Sequence, residues 1–194
     1  MRKNKSLYRT KILPYKVFLL DSKKDYIKKT GYKSSTACIK RKKVYLFVPK
    51  NIKGKKRLPI NFVLYHELNH LNYITKVGHL KPEWLSEGVA FLNQTNYKPS
   101  VRWKKYFLVI KKPEKYLLIR SQHLKTRVER SKFYILSFFC IKYLEKRFST
   151  IKIINFLKYI QNHYNDKKFW KAFEKEFGLS KKQLVKKSLK SVKK

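Results

Sequence analysis

His66-Glu67-Leu68-Asn69-His70 places two imidazoles four residues apart with a carboxylate between them. On a helix, residues at this spacing stand one above the other on a single face, so both rings can turn a nitrogen onto one cation. Zinc is the ion that such a pair suits, because it takes imidazole nitrogen and carboxylate oxygen in a four-coordinate shell. Glu67 is rotated from His66 by about 100°. From there it reaches a water at the metal without ligating the metal, which is where a general base belongs. The competing structural reading is two helix histidines packed in a core.

Catalytic zinc keeps three protein ligands and leaves the fourth position open, so a third donor is needed downstream. One known pattern requires a glycine three residues and a histidine six residues past the second histidine. Tyr73 and Lys76 stand at those places, and that pattern fails. His79 lies nine residues past His70, and two carboxylates follow in Pro82-Glu83-Trp84-Leu85-Ser86-Glu87-Gly88-Val89-Ala90-Phe91. Glu83 falls in the first turn of a helix opened by Pro82, where negative charge meets the helix dipole, and reads as structural.

The segment Trp84-Leu85-Ser86-Glu87-Gly88-Val89-Ala90 resembles the W-L-x-E-G-x-A segment of the gluzincin peptidases, among them the zinc aminopeptidase-like families and the shorter peptidase MA-like domains. The resemblance implies Glu87 as third zinc ligand beside His66 and His70, with sixteen residues between His70 and Glu87. Further on, Tyr134, Ser137 and Leu144 are spaced like the Y-x-x-G/S-x-x-x-x-x-x-L helix of the same families. There the tyrosine hydroxyl stabilises the developing oxyanion, which makes Tyr134 the candidate for that role; a buried aromatic of a core helix is the alternative. The likeness runs from about Val17 to Leu189, with its sharp motifs at 66–70 and 82–91. One departure matters. The G-x-M-E-N segment that anchors a free amine in the aminopeptidases has no counterpart before His66, where the chain reads Gly54-Lys55-Lys56-Arg57-Leu58-Pro59. Aminopeptidase activity therefore does not carry over, and a metalloendopeptidase is the expectation.

The elements that must position these residues are readable from periodicity and punctuation. Strands are expected at 15–20, 36–40 and 43–48, with a turn at Arg41-Lys42 and a helix through Lys29, capped by Asp21-Ser22 and ended by Gly31, after the first strand. This is expected to be a small antiparallel sheet, with 43–48 free at an edge to pair with an extended peptide. Pro49 stops the third strand and a basic loop fills 51–59. Helices follow at 60–77, ended by Gly78, and at 83–94. The stretch between Pro99 and Pro113, with Trp103, Tyr106 and Phe107, has no firm assignment. Further helices are expected at 126–147, 150–163 and 166–177, the last closed by Gly178, with Ser180 and Gln183 boxing a final helix through Leu189. Gly88 permits close approach of its helix to a neighbour. The fold class is α+β in one domain over 1–194: a sheet lobe at about 12–58, zinc-site helices at about 60–95 and a helical lobe at about 126–190.

Composition sets the limits on function. With 43% apolar residues, 13 Phe and 14 Tyr, the chain can bury a real core, which excludes a disordered basic tail. Its apolar runs fall short of the roughly 20 residues of a membrane span, and the N-terminal stretch lacks the apolar core and cleavage site of a signal peptide. A cytoplasmic protein is expected. Cys38 and Cys140 have no Cys-x-x-Cys spacing and read as reduced, buried thiols. Fifty Lys and Arg against eleven acids give a net charge of +39, a field that attracts nucleic acid or anionic surfaces. No recognition-module fingerprint accompanies it, and Lys mixed with Ile, Asn, Tyr and Phe is the usage of an AT-rich coding sequence. The expected partner is a peptide or protein substrate. Two other classes remain: a basic nucleic-acid- or membrane-surface-binding protein with a structural or vestigial zinc, and a different HExxH protease with His79 as third ligand.

Overall fold

The computed structural model describes residues 15–33, 37–41, 43–48, 60–79, 81–93, 101–117, 124–160 and 166–193. The expected basic loop at 51–59, the strand start at 36 and the helix ends at 94 and 161–163 lie outside them. The chain forms two compact units, 1–72 with 93–95 and 73–92 with 96–194.

In the first unit, strand β1 (Lys16–Leu20) leads into helix α1 (Lys23–Thr30). Ser22 caps this helix by accepting from the Asp25 backbone N–H, and Gly31 ends it in the left-handed conformation at φ 83°. Strands β2 (Ala37–Lys40) and β3 (Lys43–Phe47) form a hairpin closed by a Lys40–Lys43 pairing, and Arg41 takes the positive φ of 51° that such a tight turn demands. The small sheet is therefore present, but it is mixed. β2 and β3 pair antiparallel, as expected, whereas β1 and β3 pair parallel in the order β1-β3-β2. The reason is the crossover through α1, which lets the hairpin's second strand return beside β1 in the same direction. A second correction follows: β3 is the central strand, so among the described residues the unpaired edges belong to β1 and β2.

Strand alternation divides the sheet's side chains between two helices. Ala37, Ile39, Val44 and Leu46 lie in one core cluster with Val63, Leu64, Leu68 and Leu71 of α2 (Ile60–Val77). On the other face Phe18 stacks on Tyr45 at 5.0 Å, and Tyr26 of α1 meets Phe47 at 6.2 Å. Burying the aliphatic row of α2 against the sheet fixes which face the helix presents elsewhere.

The second unit is helical: α3 (Glu83–Leu92), α4 (Val101–Leu108), a 3₁₀ turn at Pro113–Tyr116, α5 (Arg127–Arg147), α6 (Thr150–Tyr159), α7 (Asp166–Phe177) and α8 (Lys181–Lys193). α5 is its centre, with Phe133, Ile141, Leu144 and every residue from Ile135 to Cys140 buried, so the middle of the helix is apolar nearly all round. A capping box starts it: Thr126 Oγ1 accepts from the Glu129 N–H at 3.1 Å, while the Glu129 carboxylate accepts from the Thr126 N–H at 3.2 Å. Trp84 opens α3 inside an aromatic cluster, stacked on Trp170 at 5.9 Å and edge-on to Phe169 and Phe173. At Gly88 the helix meets α5 so closely that a Cβ there would run into the Ser137 carbonyl and the Ile141 side chain. Among the described residues no helix is long and apolar enough to cross a membrane.

Two predictions follow from this packing. Gly88→Ala should destabilise the protein by about 2 kcal/mol, the range of overpacking a tight contact, as read from denaturant unfolding; an unchanged midpoint would mean that α3 and α5 are further apart. The thiols should also differ. Burial pushes Cys140 up to about 12. Burial also raises Cys38, which is only half-buried. Since a raised pKa leaves less thiolate at a given pH, a disulfide reagent at pH 8 should modify Cys38 first and Cys140 only on unfolding.

Candidate metal centre

α2 supplies two of the three expected donors. At about 100° per residue, its sheet-facing row of Val63, Leu64, Leu68 and Leu71 spans one side, and His66 and His70 fall together next to it. The Nε2 atoms of the two histidines lie 3.0 Å apart, with the rings nearly perpendicular at 85°. Two imidazoles on one tetrahedral zinc, each at 2.0–2.1 Å, would have nitrogens about 3.3 Å apart. The observed pair is close to that spacing. The donor atoms of His66, His70 and Glu87 all lie within 4.8 Å of one another. His70 is buried, and His66 and Glu87 are half-buried. Two imidazoles and one carboxylate fit a divalent metal such as zinc and leave a fourth position for a reactant.

Glu67 is half-buried on the same helix and is not one of the three. On the helical projection it falls within the arc of the sheet-facing row, between Val63 and Leu71, on the side of that row nearer the histidines. Its carboxylate charge reaches Cys38 on β2, where it adds to the rise that burial gives the thiol; hydrogen bonds from Tyr26 and Thr30 oppose it.

The other two candidates stand outside the cluster. His79 accepts the Lys81 backbone N–H on Nδ1 at 3.0 Å, and burial lowers its pKa, favouring the neutral ring. Glu83 is in the first turn of α3, as expected of a dipole partner, and its carbonyl accepts from the Ser86 hydroxyl at 3.1 Å.

Tyr134 is half-buried on α5. Its ring meets Phe91 edge-on at 5.7 Å, and Phe91 in turn meets Trp103 of α4 at 5.5 Å. Phe91 is one turn past Glu87, so this aromatic chain ties the tyrosine to the carboxylate's helix. Phe91 and Trp103 had no role in the sequence reading. The available signal was Trp103, Tyr106 and Phe107 at helical spacing within the unassigned stretch. Beside Trp103 a cavity of about 530 Å³ opens, lined also by Tyr106, Arg127, Lys132 and Ile135.

Comparison of the chain with protein-family models, curated proteins and solved structures returns no match. The triad, two histidines of the sheet-backed helix and a glutamate of α3, is consistent with a zincin-like metallopeptidase site.

The ligand set makes a direct prediction. Protein purified without chelator should carry about one zinc per chain in wild type and in His79→Ala, and lose most of it in Glu87→Ala, as counted by elemental analysis. Full occupancy in Glu87→Ala would remove that residue from the centre.

Proposed function

We propose that the chain acts as one gluzincin-like domain that hydrolyses peptide bonds within extended chains. The observation that carries this reading is the approach of the His66, His70 and Glu87 donors to within 4.8 Å. A zinc ion held by them would polarise the scissile carbonyl and make a neighbouring water more acidic. Glu67 takes a proton from the attacking water as its oxygen bonds to the carbonyl carbon. The same carboxylate then delivers that proton to the amine nitrogen as the C–N bond breaks. The Tyr134 hydroxyl donates a hydrogen bond to the carbonyl oxygen as that oxygen gains negative charge.

The substrate must lie extended to present its carbonyl, and an extended chain binds by adding a strand to a free sheet edge. With β3 central, the outer edge of β2 is the one we assign, because Cys38 on that strand feels the Glu67 charge. The sequence before His66 holds no counterpart of the amine-anchoring G-x-M-E-N segment, in keeping with endopeptidase action.

Glu67→Gln should retain zinc and lose cleavage of a fluorogenic peptide library by at least about a thousandfold; retained cleavage would sink its role as base. Tyr134→Phe should lower kcat by roughly 10²-fold or more with KM nearly unchanged, the cost of one oxyanion donor. A change in KM alone would assign Tyr134 to substrate binding.

A further inference from the structure

We propose that the groove between the C-terminal turns of α5 and of α8 binds single-stranded nucleic acid. The groove has a volume of about 400 Å³ and is lined by Tyr143, Lys146, Arg147, Lys187, Lys190 and Ser191. All four cations are exposed. No carboxylate lines it among the described residues, and Glu145, next to Lys146 in the chain, is not part of the lining.

A chain of charge +39 places lysines everywhere, so the question is what sets these apart. Elsewhere many of them are engaged. Lys23 lies over Tyr26 and Phe47, Lys142 over Phe138 and Lys181 over Trp170, while Lys152 pairs with Glu176 at 3.3 Å. Lys40 reaches the carbonyl of Lys29 at 2.9 Å, at the end of α1. Lys146, Arg147, Lys187 and Lys190 have no hydrogen-bond, ion-pair or ring partner among the described residues, and unlike other exposed lysines in that state, such as Lys24 and Lys171, they line one concavity. Like charges one turn apart on a helix repel, and α8 has no acidic residue to offset them. The groove therefore concentrates uncompensated positive charge from two helices into one concavity, and a polyanion relieves it.

The shape and the tyrosine narrow the class. A bilayer is flat and cannot follow a groove, whereas a phosphodiester strand can. The Tyr143 ring, half-buried in the lining, packs on no other ring among the described residues. It offers a face on which an unpaired base can stack, and bases paired in a duplex do not expose that face. Phosphates then sit among the four cations, with the base on Tyr143.

The test is fluorescence anisotropy of a labelled single-stranded oligonucleotide over a range of salt. The variant K146A/R147A/K187A/K190A is compared with K24A/K28A/K171A/K175A, which removes the same charge from exposed positions elsewhere. Circular dichroism checks that both stay folded. The groove variant should lose at least about tenfold in affinity at 0.15 M salt, and its salt slope should fall by about 2 to 3, at roughly 0.7 per phosphate contact. The control should lose less than about threefold. Equal losses in the two variants would overturn the proposal, since binding would then be spread over the whole surface. Loss of phosphatidylserine-vesicle binding with oligonucleotide affinity intact would also overturn it, in favour of lipid. Tyr143→Ala should weaken single-strand binding by about tenfold and leave duplex binding unchanged; an equal effect on both would overturn the single-strand assignment.

Discussion

The absence of a side chain at residue 88 fixes where two of the proposed functional groups stand. Gly88 lets α3 settle against the backbone of α5 at Ser137, a contact that any Cβ would block. Glu87 is the residue before that contact and Tyr134 is three residues before its partner, so both are set by one helix crossing. Ser137 is suited to its side of the crossing. It is small, and its buried hydroxyl donates to the Phe133 carbonyl at 2.7 Å, so close approach leaves no unsatisfied hydroxyl proton. Trp84 pins the N-terminal end of α3 in its aromatic cluster, so the short helix is held there and at its middle.

The histidines depend on a different constraint. Their four-residue spacing brings them together on any helix, but it does not decide which way they face. That is decided by the sheet, which takes Val63, Leu64, Leu68 and Leu71 into its core and leaves the adjoining face of α2 for the polar residues. At roughly 25 cal/mol per Å² of apolar surface removed from water, four such side chains outweigh what local propensity contributes. Glu67 falls within the arc of that row, on the side nearer the histidines, so the residue proposed as base stands on the same helix as two of the donors.

These constraints explain what was legible in the sequence. α7 runs over Asp166–Phe177 as read, because Phe169, Trp170, Phe173 and Phe177 repeat at helical spacing and Gly178 ends the helix at a φ of 62°. The Ser180–Gln183 capping box of α8 was visible for the same reason: it is local. The direction of β1 against β3 was not visible, since it depends on how a helix carries the chain across the sheet and not on either strand's residues. α4 was missed because its eight residues make only about two turns and, among its described side chains, bury little beyond Phe107. Within the site, His66 and His70 are a local pattern, and Glu87 needed the downstream segment. Setting His79 aside structurally required the position of the Lys81 N–H, which no spacing encodes.

The charge of the chain bears on both proposals in opposite senses. With only eleven acids, the protein's own field works against holding a divalent cation. Salt screens that repulsion beyond about 8 Å at physiological ionic strength, so the donors in direct contact decide whether a metal binds. Two of the few carboxylates, Glu67 and Glu87, stand at the histidine pair, one proposed as base and the other as ligand. At the α5–α8 groove the situation is reversed. There the cations have no counter-charge among the described residues, and the same field that opposes a metal attracts a polyanion. Where the scarce acids stand therefore separates the two proposals: carboxylates gather where a cation is proposed and are absent from the lining where an anion is proposed.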